Sequence, residues 1–410
     1  MSNKTVSLST LRIPSHVRSF SCQQCGSCCL EKWRIEIDPT TYKQVAAIYE
    51  SQQQDNVFHE LMTKDDQGKS YMKFSNGRCA ALTPENLCIF QKSLGEDYLS
   101  DTCKVYPRRI FASSRGIEFA LTFSCPAALQ VLLNPEPITI HTEEAAQSTF
   151  HFMRPRKFLC YVPENAAPSS WSFYYYQVEP LLLAILQSRT TTIEQRLLQL
   201  GALFTRLQSI TPSPNWFEAI PKELHYIPVP PARKEKATVL FRQLLLVYAK
   251  STPSFANMLA NLLHHWDPIS LTIPLTQYIA KTKESLEQRQ FPQEAYWSAE
   301  KAYWKTTQAS WEHILENYFV NFVLGKFFFF QNWQEAYLRM VTLYGFIKFL
   351  SISYAHILKK PVEPSILLPV IQEIDQSLNH SNIFFQNLSE RIKNQPLAVQ
   401  TDVALTLSQI

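Results

Sequence analysis

The chain has 410 residues, 46% of them hydrophobic, with a formal charge of +4 and a pI near 8.4. That is enough apolar material for two or three domains, each with a core. The charge is mild and occurs in no long block of one sign, so a nucleic-acid footprint is not indicated; with only eight glycines there is no glycine-dense turn of the kind a dinucleotide fingerprint or a P-loop requires.

In chain order, residues 1–19 read as a loose arm. Their sequence, MSNKTVSLSTLRIPSH and onward, contains no continuous apolar run of signal-peptide length. A cysteine-rich stretch follows from Phe20 to Trp33, holding Cys22, Cys25, Cys28 and Cys29 in the pattern C-x2-C-x2-C-C. Residues 33–37 alternate apolar and polar and predict a short half-buried strand. Asp38-Pro39 has the residue types of an N-cap followed by proline at the first helical position, opening a helix to about Gln53. Gln54–Lys69 reads as a surface loop or a frayed short helix, and Tyr71–Phe74 as a strand. The chain then turns over Thr83–Asn86, which returns Cys88 towards Cys79. A hairpin with arms near 109–113 and 117–123, joined through Ser114-Arg115-Gly116, delivers Cys125. Residues 1–160 thus read as one small, irregular, cysteine-rich metal-binding domain with short strands.

Residues 161–410 read as an all-helical domain, so the fold class is mainly α. Ile193, Leu197, Leu200, Phe204 and Leu207 form a stripe of helical period, with Thr191–Glu194 as its capping box. Proline-rich stretches within 211–232 suggest a linker. Helical patterns resume at 234–250, 254–265, almost continuously over 271–358, at 365–386 and within 397–408. The apolar run near 318–330 is interrupted by Asn321 and Lys326 and is too short to span a bilayer. The expectation is a cytoplasmic chain without membrane insertion.

The sulfurs carry the chemistry. Nine cysteines are present, and eight of them (Cys22, Cys25, Cys28, Cys29, Cys79, Cys88, Cys103 and Cys125) make up the motif of the first domain. Cys160 stands apart and reads as a buried apolar residue. Disulfides are disfavoured, since a chain this long needs no staples and clustered cysteines in a reducing compartment more often bind metal or do chemistry. Soft thiolates suit zinc or an iron–sulfur cluster. Adjacent Cys28 and Cys29 diverge in an extended chain, which leaves two neighbouring sites, or one ligand beside a supporting or reactive thiol. The spacing matches neither the bacterial ferredoxin run nor a simple zinc ribbon. Arg108 and Arg109, close in sequence to Cys103, are candidates to neutralise an anionic centre or to hold a cofactor carboxylate. His264-His265 reads as helix surface, and Arg154-Pro-Arg156-Lys157 as a solvated border.

The stretches Phe20-Ser-Cys22 to Cys29, Ile35-x-Ile37-Asp38, Leu87-Cys88-Ile89, Cys103-x-x-Tyr106-Pro107-Arg108 and Ser124-Cys125-Pro126 resemble the bacterial flagellin lysine-N-methylase family. A broader group of small iron- or zinc-chelating proteins shares the C-x2-C-x2-C-C head. The resemblance implies a protein-lysine N-methyltransferase that uses S-adenosylmethionine and an iron–sulfur centre of the 4Fe-4S kind, with flagellin as its protein substrate. Zinc is the alternative metal. The competing functions are a non-catalytic iron- or zinc-binding module, or a structural zinc domain with a helical interaction surface. Aromatic helices around Trp297, Trp304 and Trp311 are candidate material for the flagellin surface.

Overall fold

The computed structural model describes residues 5–30, 34–150, 158–220, 297–330 and 332–379. The expected helices at 234–250, 254–265 and 397–408, His264-His265 and the whole Arg154–Lys157 border lie outside the described residues. The chain divides into two units. One comprises Thr5–Val131 with Thr139–Tyr161, and the other comprises Leu132–Ile138 with the chain from Val162 onward.

The first unit is built on a five-stranded sheet. Its strands are β1 (Thr10–Pro14), β7 (Arg108–Ser113), β8 (Gly116–Leu121), β9 (Ile140–Glu144) and β10 (Leu159–Tyr161), in the order β10-β7-β8-β1-β9. The supposed loose arm is therefore in the middle of this sheet, and the unit is less irregular than its sequence implies. β1 pairs parallel to β8 and antiparallel to β9, and Leu11, Ile13 and Val17 are fully buried. The apolar alternation of Leu11 and Ile13 was the available signal. The hairpin β7–β8 turns at Gly116, whose φ is +130°, and a Cβ there would lie 2.4 Å from the Thr10 carbonyl oxygen. Only glycine lets β1 pass this close.

Smaller elements pack beside the sheet. A short helix α1 (Ser15–Ser19) continues from β1. Strands β2 (Glu36–Ile37), β3 (Met62–Lys64) and β4 (Ser70–Met72) form a three-stranded sheet, and β5 (Phe74–Ser75) pairs with β6 (Arg78–Cys79). Helix α2 (Pro39–Ser51) begins as expected, the Asp38 carboxylate accepting from the Thr41 N–H at 3.0 Å. Short helices α3 (Asp55–Leu61), α4 (Ile89–Ser93), α5 (Asp101–Val105) and α6 (Pro126–Leu129) complete it.

The second unit is helical over its described residues: α7 (Tyr175–Leu186), α8 (Ile193–Gln208), α9 (Gln308–Leu324), α10 (Phe327–Phe330), α11 (Trp333–Leu358) and α12 (Pro364–Ile374). The predicted stripe of α8 is buried throughout. Its capping box sits one residue later than expected, closed by Thr192 with Gln195, because Thr192 is the last extended residue. The described part of the supposed linker, residues 211–220, is packed rather than free. Trp216 is buried, donates to the Gln177 side chain at 2.9 Å and stands edge-on to Trp171. Helix α11 alone among the described residues is long and apolar enough to cross a membrane, yet 78% of its apolar window is buried inside this unit, as in a core helix.

A candidate thiolate centre in the sheet unit

The sheet brings the cysteines together through strand direction. Because β1 and β8 run parallel, the chain leaves both at one end of the sheet. From β1 it enters α1, Phe20 and the Cys22–Cys29 loop; from β8 it reaches Ser124 and Cys125. Strand β7 runs the other way, so Arg108 starts at that same end with α5 and Cys103 just before it. Tyr106 and Ser124 tie the two approaches together, their hydroxyl oxygens 3.1 Å apart. Ser100 caps α5 by accepting from the Cys103 N–H at 3.2 Å, which fixes the Cys103 backbone.

The remaining sulfurs arrive on a turn. Leu82 and Cys88 form an isolated bridge, and the Ile89 N–H donates to the Ala81 carbonyl at 2.8 Å, folding Cys88 back towards Cys79. The Cys25-Gly26-Ser27 loop lies directly on this turn. Gly26 has φ +71°, and a Cβ there would stand 2.5 Å from the Asn86 carbonyl oxygen. Replacing Gly26 with alanine is expected to destabilise the unit by about 1–2 kcal/mol from the left-handed backbone alone, with the Asn86 clash added. Thermal denaturation beside Gly68→Ala checks this, since Gly68 has φ +78° but nothing near its Cβ position.

The eight cysteines fall into two neighbourhoods. Cys29 and Cys79 are buried in a hydrophobic core with Ile35, Val45, Phe90 and Leu99, and Cys28, Cys88 and Cys103 pack against that core. The Cys29 thiol contacts Cys28 and Cys79; those contacts, and then burial, push its ionisation far up. Cys79 moves down, chiefly because it accepts a hydrogen bond from Cys29. Burial raises Cys88, with the Cys79 and Cys28 charges adding to it. Burial also pushes Cys103 up to about 12, with Cys88, Cys79 and Cys28 acting in the same direction. Cys22 and Cys25 are exposed and Cys125 is buried. Cys125 is pushed up to about 11 by burial and then by the charges of Cys25 and Cys22. The Gln24 N–H points at the Cys22 sulfur from 3.4 Å.

All eight are free thiols, as is Cys160. Among the described residues no group of three or more Cys, His, Asp or Glu side chains is arranged to hold a metal ion. The sulfurs are thus neighbours rather than a closed shell, and loading would have to draw them together. Their donor chemistry fits a thiophilic metal or cluster: several thiols share one apolar core, and a cation would offset the cost of ionising them there.

Arg108 is on the side of the cysteine loop. Its guanidinium lies over the Phe20 ring at 4.8 Å; burial works against its charge and lowers its pKa, opposed by the nearby charges of Glu96 and then Cys22. Its Nε is buried without a hydrogen-bond partner. Arg109, the next residue along the strand, lies over Phe111 at 5.4 Å, and strand alternation puts it on the opposite face. Cys160 is not buried. It sits exposed on β10, which among the described residues is an edge strand paired only to β7.

The helical unit holds a buried polar chain. Glu316 pairs with Arg189 and Arg196, each at 2.8 Å, and Arg196 also reaches Glu312 at 3.3 Å. Gln308 donates to both Glu312 and Glu194 at 2.8 Å. Glu194 accepts from the Tyr344 hydroxyl, and Lys348 stands 2.7 Å from Glu300. The sequence signal was the placing of single charges, such as Glu316 and Lys348, inside apolar helices. Burial favours protonating Glu194, but Lys348 and Tyr344 outweigh it and hold the carboxyl below its ordinary value. Its stabilising contribution is therefore full above the ordinary carboxylate range and lost as pH falls through the lowered value. Glu194→Gln is expected to flatten the acid limb of the helical unit's stability profile, as read by circular dichroism during denaturation across pH.

Two of the expected surface aromatics belong to this interior. Trp304 and Trp311 are fully buried, edge to face at 4.5 Å, while Trp297 is exposed. Helix packing claims the first two because single large rings fill gaps between helices.

Sheet and site together define a protein with a thiol-lined centre in one unit and a helical second unit. A family model described as the FliB lysine N-methylase C-terminal domain matches residues 180–401. The lysine-N-methylase of Salmonella typhimurium is 28% identical over 149 residues, 35% of this chain and 37% of that protein. The flagellar biosynthetic protein FliU of Salmonella muenchen is 30% identical over 131 residues, 30% of this chain and 78% of that protein. The chain belongs to the FliB lysine N-methylase family. Its match to the Salmonella typhimurium protein spans well under half of that relative's length. No solved structure matches.

Proposed function

We propose that the chain is a protein-lysine N-methyltransferase that transfers a methyl group from S-adenosylmethionine to lysine side chains of flagellin. Membership of the FliB family carries this reading, and the name of the FliU relative supports a flagellar substrate. Nine free thiols suit a reducing, cytoplasmic setting. Cysteines of the sheet unit would hold an iron–sulfur cluster, of the 4Fe-4S kind. When bound, such a cluster supplies an iron with an exchangeable position and a redox-active charge. The protein's own part is to supply thiolates, to shield them in an apolar core and to keep Arg108 beside the exposed cysteines as an anchor for a donor carboxylate. The substrate lysine must lose its proton before it attacks the methyl carbon, because an ammonium has no free electron pair. Its ordinary pKa is about 10.4, which an apolar site lowers.

A structural zinc site is the second reading. It is favoured by the burial of Cys29 and Cys79 within a hydrophobic core, where a metal can replace part of the packing. Metal and sulfide analysis of anaerobically purified protein separates the two. Brown protein with iron and labile sulfide is expected. Colourless protein with zinc and no sulfide would leave the structural reading in front.

A further inference from the structure

One short stretch of the chain changes units and returns. Leu132–Ile138 belong to the helical unit, whereas Val131 before them and Thr139 after them belong to the sheet unit. Side chains of the helical unit hold this stretch by its carbonyls. The Asn317 amide, on α9, donates to the Leu132 and Asn134 carbonyls at 3.3 and 2.9 Å. The His313 Nε2, one turn earlier on α9, stands 3.2 Å from the Leu133 carbonyl. At the end of α7 the Gln187 amide donates to the Ile138 carbonyl at 2.9 Å. Leu132 and Ile138 are buried, while Pro135, Glu136 and Pro137 between them are exposed. The prolines fix φ at their two positions and keep this exposed part stiff. Asn317 is 1% exposed, and its Oδ1 is buried without a hydrogen-bond partner. A half-satisfied buried amide costs stability that an apolar residue would not, so the use of this amide is to hold the stretch.

Both ends run directly into the chain that carries the thiols. On the way in, α6 and a 3₁₀ turn over Gln130–Leu133 make consecutive helical turns from Cys125 onward. On the way out, Thr139 exchanges two hydrogen bonds with Ser15. The Ser15 N–H donates to the Thr139 carbonyl at 2.8 Å, and the Thr139 N–H donates to the Ser15 hydroxyl at 3.2 Å. Ser15 is the first residue of α1, which leads to the Cys22 loop. On α9, Asn317 follows Glu316, the carboxylate that holds Arg189 and Arg196.

We propose that Leu132–Ile138 is a conformational strap: order at the cysteine end of the sheet unit, in α6 and at the start of α1, is transmitted through it to α9 and so to the polar chain of the helical unit. A partner that binds either unit thereby changes the order of the other, because coupling between two sites acts equally in both directions. This link needs neither a bound metal nor methyl transfer, only the chain path and the hydrogen bonds that seat it.

The test is hydrogen exchange on the full-length protein, read by mass spectrometry on peptides within Gln308–Leu324. Such exchange reports local opening of one element rather than of the whole chain. Ala128→Gly loosens α6 from a fully buried position and should speed exchange in α9 about two- to fivefold, the equivalent of one glycine in a helix. In a background of Pro135→Gly with Pro137→Gly, which slackens the exposed part and leaves its seats in place, the same change should leave α9 unaltered. Val45→Ala, in the sheet unit's core but on α2 rather than at either end of the strap, should also leave α9 unaltered. Circular dichroism verifies that each variant is folded. Should Ala128→Gly fail to fold, Ser15→Ala makes the same comparison by releasing the returning end. An α9 that responds to neither change would overturn the strap. An equal response in the slackened background, or to Val45→Ala, would overturn it too, because general destabilisation would then account for the effect.

Discussion

Cys103→Ser is expected to reduce methyl transfer by well over about 100-fold, the upper end of what losing a supporting residue around a metal costs, and to lower the melting temperature of the sheet unit. Cys103 combines the two features that make a sulfur hard to replace. Its backbone is held by the Ser100 cap, and its thiol is surrounded by the charges of Cys88, Cys79 and Cys28 in an apolar setting. Burial pushes it up to about 12, so it stays a thiol until a cation offsets its ionisation. Serine keeps the size but is a poor ligand for soft metals. Metal content, melting temperature and methyl transfer measured on one preparation check all three effects. Cys160→Ser is the control: Cys160 is on an exposed sheet edge away from the cysteine motif and should leave each reading unchanged.

The second large effect belongs to the helical unit. Glu316→Ala should destabilise it by up to about 3–5 kcal/mol, the range for breaking a buried ion pair. Arg196 loses its closer partner and keeps the longer 3.3 Å pair with Glu312; its side chain is 2% exposed, and that of Glu316 is 1% exposed. Arg189 also loses its partner but is 40% exposed and can turn to water. Replacing both buried members, Arg196→Met with Glu316→Leu, should recover much of the loss, because an apolar pair of similar volume avoids the desolvation of two charges. Urea denaturation of the unchanged protein and the two variants measures this. Equal losses in the single and double variants would mean that the pair contributes through shape alone.

Local features were legible where one residue type has one physical use. Asp38-Pro39 starts a helix because a carboxylate cap and a residue without an N–H both suit that place. The stripe from Ile193 to Leu207 is buried because its spacing keeps one face apolar. The hairpin ending in Cys125 follows from alternation on either side of Gly116. What the sequence concealed depends on contacts between distant segments. β1 looks like an arm because it has partners only more than a hundred residues later, in β8 and β9. Trp304 and Trp311 look like surface material until α9 and the helices around it close over them. The sulfur motif announced a thiol-rich centre, but nothing in its spacing tells which cysteines share a neighbourhood. That depends on the parallel pairing of β1 with β8 and on the close seat of Gly26 against Asn86, both set by tertiary packing.

Cysteine-held metal in this chain is proposed to serve methyl transfer to flagellin. It is tested most directly by incubating metal-loaded protein with flagellin from the same cell and methyl-labelled S-adenosylmethionine, then locating the label by peptide mass spectrometry. Label is expected on lysine side chains with loaded protein, and none after chelation or with Cys103→Ser. Lysine labelling that persists in fully metal-free protein would contradict it, as would unlabelled flagellin in the presence of loaded, folded protein.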